Sequence, residues 1–317
     1  MNSLLEHAYA NGALLVMWGA LLFHLILPIP NNAHPLTAWQ YIAKRLAQKV
    51  NTSGDYHQSK LSGSLALVVL MTPVIILLVA FRPLVWQPQL YDLGLLLLSL
   101  DWRSNERLTR QLVDALSSND KKLARQVLGE RLNRDTDTLS LIGLGKAGAE
   151  TIIMGYTRNV ICVLFWYGIC GGIGAFCYRL IAELTRAWSP AQQRFHPFGL
   201  STVRLLAMLD LVPMRLYAIC ISIGNNTAAV ISSINQQARV WPLPGPSWVL
   251  ISVGCKSEIA LGGPAIYDGT KHERARIGGS VVPSAYHLMC IQKLLAWRIY
   301  AWLILQSAIM FIVYQGG

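Results

Sequence analysis

The segment from Leu65 to Phe81 reads LALVVLMTPVIILLVAF and contains no charged residue. A helix of roughly 17 to 25 apolar residues crosses the ~30 Å hydrocarbon layer of a bilayer. Pro73 lies inside this segment, and membrane helices tolerate proline where neighbouring groups satisfy the freed backbone. The segment therefore predicts a membrane-spanning helix.

Five further apolar segments extend this prediction along the chain. Hydrophobic residues make up 53% of the 317 residues and charged residues only 14%, well below the roughly 25% of soluble domains. One of the five contains Gln87, Gln89 and Asp92, so a tilted or interfacial segment is an alternative to a crossing. We expect an all-α, polytopic helical membrane protein, with the further segments Ala13–Ile29, Leu84–Leu100, Val160–Tyr178, Leu205–Ile223 and Ala296–Tyr314.

The distribution of basic residues predicts an orientation. The formal net charge is +11, which in a soluble protein suggests nucleic acid, but in a membrane protein Lys and Arg concentrate in cytoplasmic loops. Basic residues cluster in loops 31–60, 101–159 and 224–293, whereas both ends of the chain lack them. We expect an inner-membrane, multi-pass protein with these loops in the cytoplasm and no nucleic-acid partner.

Four arginines fit this orientation poorly, because Arg179, Arg186, Arg194 and Arg204 would face outward. Either Val160–Tyr178 is re-entrant, or Leu205–Ile223 is not a simple crossing. Four glycines within a short stretch favour a broken or closely packed helix there, namely Gly168, Gly171, Gly172 and Gly174.

We expect one membrane domain over residues 1–317, with ordered extramembrane parts. Two apolar stripes within Asp101–Asn133 predict a helical hairpin in a cytoplasmic insertion of about residues 101–159. Ser104 is the candidate cap of its first helix, and Ser118 or Asn119 of its second. A second cytoplasmic region, about residues 224–294, contains a Gly-Gly-Pro turn. The six cysteines form no CxxC pair, so no metal site is predicted from them.

Three short motifs could carry chemistry, and each has a structural alternative. Asn133–Thr136 reads Asn-Arg-Asp-Thr and is either a helix cap or a phosphate- or magnesium-binding corner. Leu261–Gly269 is followed by basic residues and is either an anion-binding turn or a solvated loop. Asp210 and Arg215 interrupt an apolar segment, where ions pair or line a cavity, although their spacing of five makes a direct pair doubtful.

In this order, the motifs resemble the CbiB/CobD family of cobalamin-biosynthesis membrane proteins. The resemblance covers most of the chain, and the Arg-Asp-Thr corner and the Gly-Gly-Pro segment are its more specific parts. It rests on His34-Pro35, Arg134-Asp135-Thr136, Lys146–Thr151, Arg194–Gly199, Pro213–Leu216 and Leu261–Gly269 with Glu273-Arg274.

The resemblance implies an adenosylcobinamide-phosphate synthase, which joins adenosylcobyric acid to an aminopropanol phosphate through an amide and consumes ATP. It implies ATP and Mg as cofactors, a corrinoid as substrate rather than cofactor, and the lipid bilayer and other cobalamin-biosynthesis proteins as partners. Asp135 and Glu150 become the candidate catalytic residues and Mg ligands, without a dedicated metal site. The candidate binding residues are Arg134, Arg204, Arg215, Gly262, Gly263, Tyr267 and Arg274.

A non-catalytic role stays open beside the enzyme. Acidic and amide positions of the family pattern are occupied here by Met154, Gly155, Arg158, Leu206 and Ala207, and magnesium and nucleotide chemistry depends on such groups. The alternative is therefore a membrane scaffold, a sensor, or an accessory protein like the related AmpE group. A transporter is a third possibility, although no inverted repeat is visible.

Overall fold

The computed structural model describes residues 12–26, 34–51 and 55–315. Within these ranges the chain is predominantly helical, with four short strands near the carboxyl-terminal end. The helices are α1 (Gly12–Ile26), α2 (Pro35–Val50), α3 (Tyr56–Phe81), α4 (Pro88–Ser99), α5 (Trp102–Ser117), α6 (Lys121–Gly129), α7 (Leu141–Tyr156), α8 (Val163–Ala187), α9 (Leu200–Ser222), α10 (Thr227–Gln237), α11 (Pro244–Lys256) and α12 (Ala285–Gln315). The strands are β1 (Ala260–Gly262), β2 (Ala265–Tyr267), β3 (Thr270–His272) and β4 (Arg276–Gly278).

Four helical segments are long and apolar enough to cross a membrane, which confirms the all-α membrane fold class. They are Tyr56–Leu84, Leu141–Ala187, Leu200–Ser222 and Ala285–Val313. The apolar helix Gly12–His24 is shorter, and the predicted end of the first segment at Ile29 lies outside the described residues. The segment Tyr56–Leu84 has only 11% of its most apolar window buried inside the protein, as expected of a helix whose apolar side chains face lipid.

The predicted segment Leu84–Leu100 differs from a full crossing. Its helix, α4, is 12 residues long, about 18 Å at 1.5 Å per residue, which is shorter than the hydrocarbon layer. Pro88 opens the helix, and a short 3₁₀ turn at Arg82–Leu84 precedes it. The helix packs against α1 and α8, whereas Gln87 and Gln89 at its start are exposed, so the segment is a short, partial one.

The broken helix predicted from the four glycines is confirmed. Backbone angles depart from helical values at Cys170 and Gly171, where Gly171 has φ +64°. The Gly172 N–H donates to Asp92 Oδ1 at 3.1 Å, which satisfies a backbone group freed by the break. A Cβ at Gly172 would lie 2.7 Å from the Asp92 Cα. The presence of Asp92 within the apolar segment Leu84–Leu100 is thus explained by its role as the cap of the second half of α8.

The predicted helical hairpin is confirmed as α5 and α6, with Leu108 and Leu112 buried. Its predicted caps are wrong. Ser104 lies inside α5, which follows Asp101, and α6 is capped by Asp120, whose Oδ1 accepts a hydrogen bond from Leu123 N at 2.9 Å. Several polar residues precede each helix, so the sequence pattern left the boundary open by one to three positions.

Candidate active site

The strands hold the Gly-Gly-Pro segment in a fixed shape. β1 pairs antiparallel with β4, and β2 pairs antiparallel with β3. The β2–β3 turn places Asp268 at φ +46° and Gly269 at φ +75°, and two positive φ values are typical of a tight hairpin turn. The segment is therefore an ordered double hairpin.

The Asn133–Thr136 corner binds this hairpin. Asp135 N donates to the Ile266 carbonyl at 3.0 Å, and Asp135 Oδ2 accepts from Gly269 N at 2.9 Å. The helix-cap interpretation of the corner is wrong, because α7 begins at Leu141 and its cap is Ser140, whose Oγ accepts from Gly143 N. Asp135 instead joins the corner to the hairpin turn.

Glu150, on α7, is the centre of a charged cluster with the same two motifs. Its Oε1 accepts from Gly262 N at 2.8 Å. Arg274 Nη1 lies 3.2 Å from Glu150 Oε2 and Nη2 lies 3.3 Å from Oε1, a two-pronged pairing of the kind that arginine makes with carboxylates. Arg134 Nη1 approaches Oε2 at 3.9 Å. We call Arg134, Glu150, Gly262 and Arg274 the Glu150 cluster.

Arg274 is held by further contacts outside the pair with Glu150. Arg274 Nε donates to the Gly263 carbonyl at 3.0 Å, and its guanidinium lies 5.4 Å from the centre of the Trp241 ring. Burial lowers the pKa of Arg134, an effect opposed by the nearby Glu150 carboxylate. Gly263 N donates to the Ala275 carbonyl, so both glycine N–H groups predicted to bind an anion are engaged within the protein.

A cavity of about 420 Å³ opens beside Glu150 and Arg274, and we call it the central cavity. Its apolar lining, which we call the apolar wall, includes Leu108, Met154, Trp241, Leu243 and Leu250. Its polar and charged lining, the charged wall, includes Asn105, Asn133, Glu150, Arg158, Asn159, Arg179, Glu183, Arg186 and Arg274. A concave site with an apolar surface and a few convergent polar groups is typical of small-molecule binding.

Arg158 reaches this cavity from a π-helical turn, Thr157–Cys162, between α7 and α8. Its Nε and Nη2 donate to Asp210 Oδ2 at 3.0 and 2.9 Å. Asp210 is fully buried, and its Oδ1 accepts from the Tyr178 hydroxyl at 2.7 Å. Asp210 therefore pairs with Arg158 rather than with Arg215, and the pair fixes the Arg158 guanidinium at the cavity wall.

A second ion pair continues the charged wall along α8. Arg179 Nη2 lies 2.9 Å from Glu183 Oε1 and 3.7 Å from Asp101 Oδ2. Arg179 also donates to Asn159 Oδ1, and Gln40 donates to Glu183. Both side chains of the Arg179–Glu183 pair are nearly buried, so the pair joins α8 to α2, to the π-helical turn and to the start of α5.

The remaining predicted residues lie outside the Glu150 cluster. Arg204 is exposed on α9 and does not line the central cavity. Arg215 lies 5.1 Å from the centre of the Trp248 ring. Tyr267 packs edge-on against His272. The structure thus brings Arg134, Glu150, Gly262, Gly263 and Arg274 together, joins Asp135 to them through the hairpin, and leaves Arg204 and Arg215 apart.

The two predicted magnesium ligands do not fit a divalent cation in this arrangement. Glu150 faces two guanidinium groups, whose positive charge opposes a nearby cation. Asp135 is occupied by the hairpin turn. Across the described ranges, no group of three His, Cys, Asp or Glu side chains could hold a metal ion.

The sequence analysis did not select Arg158, Arg179 or Glu183 as site residues. A signal was present, because each places a charge within the helical run Leu141–Ala187, which is apolar enough to span a membrane. Ionisable groups in such segments usually pair or line cavities. Arg179 and Glu183 are four positions apart, and their pairing could be read from the sequence. The partners of Arg158 and of Arg179 at Asp101 lie 52 and 78 residues away, so spacing gave no indication of those contacts.

Comparisons with known proteins agree on one family. The family model described as CobD/Cbib protein matches residues 17–295. A cobalamin biosynthesis protein CobD of Stutzerimonas stutzeri is 31% identical over 85% of this chain and 89% of that protein. The protein of the same name from Chromobacterium violaceum is 27% identical over 84% of this chain and 86% of its own length. No solved structure matches the chain.

Proposed function

The chain belongs to the CobD/Cbib family, and from that premise we propose that it acts in cobalamin biosynthesis as an amide-forming enzyme. Its substrates would be adenosylcobyric acid and an aminopropanol phosphate, with ATP as co-substrate. The observation that carries the proposal is the central cavity, which is lined by Asn133, Glu150 and Arg274 from the family motifs together with charged residues of α8.

The two walls of the central cavity suit different parts of a corrinoid. Trp241, Met154 and the leucines offer an apolar surface to the face of a macrocycle. Arg158 offers a guanidinium whose Nε and Nη2 are held by Asp210, and arginine binds carboxylates well. In our proposal the apolar wall holds the ring, and Arg158 holds the carboxylate arm that becomes the amide.

The proposed reaction requires activation of this carboxylate. One carboxylate oxygen attacks the γ-phosphorus of ATP, which forms an acyl phosphate and releases ADP. The amine of the aminopropanol phosphate then attacks the acyl carbon, forms the C–N bond, expels phosphate and loses a proton. A fixed guanidinium beside the acyl oxygens would stabilise the negative charge that develops there. Magnesium would enter with the nucleotide, because Asp135 and Glu150 are engaged elsewhere.

We also propose the inner membrane as the location, with the basic loops in the cytoplasm. The supporting observation is the concentration of Lys and Arg in loops 31–60, 101–159 and 224–293, which favours the cytoplasmic side. ATP and phosphorylated amines are cytoplasmic compounds, so this orientation gives the central cavity access to them.

The enzymatic proposal is tested with purified protein in detergent. Adenosylcobyric acid, aminopropanol phosphate, Mg²⁺ and ATP are incubated with the protein, and the amide product is measured by mass spectrometry. We expect product formation, and we expect Arg158→Gln, compared at equal amounts of folded protein, to lower kcat/KM by about tenfold or more, since it removes a charged hydrogen-bond donor. Arg110→Gln, at a side chain 75% exposed on α5, is the matched control and leaves kcat/KM unchanged.

The outcome that contradicts an enzyme is a folded protein that forms no product and does not restore growth on cobyric acid to a strain lacking the synthase. The neutralised Glu150 favours one second candidate, a non-catalytic family member. That candidate predicts corrinoid binding without turnover, measured as a shift in the corrinoid absorption spectrum on titration with protein.

A further inference from the structure

A second cavity, of about 270 Å³, shares part of its α8 lining with the central cavity. Its walls come from α1, α2, the end of α4, the start of α5, the α6–α7 connection and α8, and we call it the arginine cavity. Five guanidinium groups line it against three carboxylates, and the two histidines there add no fixed charge. The lining therefore has an excess of positive charge, which attracts anions.

Two buried donors in this lining have no acceptor within residues 12–26, 34–51 and 55–315. His24 is only 7% exposed, and its Nε2 accepts from Trp102 N at 3.1 Å. In the neutral ring Nδ1 therefore carries the hydrogen, and this Nδ1 has no partner among the described residues. Arg179 Nε is likewise buried without a partner there. Buried donors are rarely left unpaired in proteins, so both indicate a missing acceptor.

Two further arginines are available on α5. Arg103 and Arg107 are one helical turn apart and both line the arginine cavity, and neither takes part in an ion pair with a described residue. Both lie in the first turns of α5, where the helix dipole adds positive potential. Asp101, which precedes α5, makes no capping hydrogen bond with its side chain. Arg103 and Arg107 outnumber the single Asp101 carboxylate there, so the start of α5 contributes net positive charge to the same cavity.

We propose that the arginine cavity binds a phosphoryl oxyanion, as a phosphate ester or pyrophosphate group. A carboxylate presents two acceptor oxygens in one plane, whereas a tetrahedral phosphoryl group presents three or more acceptor oxygens in different directions. The set of His24, Arg103, Arg107 and Arg179 supplies donors from three helices, which suits that larger acceptor. The inference rests on the geometry of this cavity and is independent of the amide-forming activity.

The position of this site relative to the central cavity adds a consequence. Arg131, Arg179, Glu183 and Arg186 line both cavities. A phosphoryl group in the arginine cavity is therefore separated from the central cavity by one layer of side chains. Its source is either a soluble phosphorylated compound or an anionic lipid headgroup, and the two share the same recognition chemistry.

The test is calorimetric titration of the full chain, purified in detergent without anionic lipid, with inorganic pyrophosphate. We expect binding that Arg103→Gln with Arg107→Gln weakens by about tenfold or more, since each loses charged hydrogen bonds. Arg107→Gln alone, at an exposed position, is the variant that keeps the test interpretable if the double variant misfolds. Arg110→Gln on the same helix is the control and binds like the parent.

Competition with phosphatidylglycerol in mixed micelles separates the two sources. If phosphatidylglycerol displaces pyrophosphate at a low lipid fraction, the site binds a lipid headgroup. If pyrophosphate stays bound, the site binds a soluble phosphorylated compound. The proposal is overturned if neither probe binds, or if Arg110→Gln weakens binding as much as the α5 double variant. Because no turnover is measured, these outcomes leave the amide-synthase proposal unaffected.

Discussion

The arginines of the Glu150 cluster and those of the arginine cavity are held in opposite ways. Arg134 and Arg274 both approach one carboxylate, and Arg274 also donates to the Gly263 carbonyl. Arg103 and Arg107 line a cavity without an ion pair to a described residue. Arg134 and Arg274 stabilise the hairpin through their charge, whereas Arg103 and Arg107 remain available to bind a ligand.

Arg158 belongs to the first kind, although it faces the central cavity. Its guanidinium is 28% exposed, but its partner Asp210 is fully buried. Taking one partner away leaves a buried charge uncompensated, which costs far more than the intact pair contributes. The difference between paired and unpaired arginines therefore predicts where substitution damages the fold and where it damages binding alone.

The largest effect is expected at Asp210. Asp210→Asn removes the charge that neutralises Arg158 and weakens the bond from Tyr178, so we expect a loss of about 3–5 kcal/mol in the free energy of unfolding. Denaturant titration in detergent measures it. The double variant Arg158→Leu with Asp210→Leu should recover most of this loss, because an apolar pair carries no desolvation cost. A double variant no more stable than Asp210→Asn would contradict the pairing.

A smaller loss is expected at Gly262, which closes the Glu150 cluster. Gly262 has φ +73°, and an added Cβ would lie 2.1 Å from the Ala275 carbonyl oxygen. Gly262→Ala thus combines backbone strain with a steric clash, together about 3 kcal/mol. Gly269→Ala is the matched control, since its φ is +75° with open space around the Cβ position, and strain alone costs about 1–2 kcal/mol. Equal losses in the free energy of unfolding for Gly262→Ala and Gly269→Ala would exclude the steric clash.

Removing the charge of Glu150 comes next in size. Glu150→Gln leaves Arg134 and Arg274 close together without a carboxylate, and we expect a loss of about 1.5–3 kcal/mol of folding free energy. Glu273→Gln, whose carboxylate is 73% exposed in a pair with Lys271, is the control and should change little. Hydrogen exchange of the Gly262 amide should also accelerate in Glu150→Gln, since that amide loses a charged acceptor. An unchanged exchange rate would mean that Glu150 does not hold the hairpin.

The sequence predicted the fold class because lipid imposes long uncharged runs such as Leu65–Phe81, which can be read locally. It predicted Glu150 and Arg274 as site residues from the family motifs, 124 positions apart. The pairing of Glu150 with Arg274 could not be predicted from the sequence, because it depends on the hairpin that brings Gly262 next to α7. The break in α8 could be predicted from its glycines. The hydrogen bond by which Asp92 caps the second half of α8, 80 positions away, could not.

The arginine cavity could not be predicted from the sequence. His24 lies in an apolar helix and Arg103 in an amphipathic one, and each has a satisfactory local explanation. Only the fold brings them to one cavity, in which the His24 Nδ1 and the Arg179 Nε have no hydrogen-bond partner among the described residues. Sequence periodicity reports which face of a helix is buried, but it does not report which donors lack an acceptor.

The smallest effect on stability is expected at Arg103 and Arg107. It tests most directly whether these two arginines serve binding rather than the fold. Because neither side chain has an ion pair to lose, the double Gln variant should change the free energy of unfolding by less than about 0.5 kcal/mol. In the presence of pyrophosphate the parent protein should unfold at higher temperature, since a ligand that binds only the folded state stabilises it, whereas the variant should show a smaller increase at the same pyrophosphate concentration. A large loss of stability without pyrophosphate would mean that these arginines hold the fold, as Arg134 and Arg274 do.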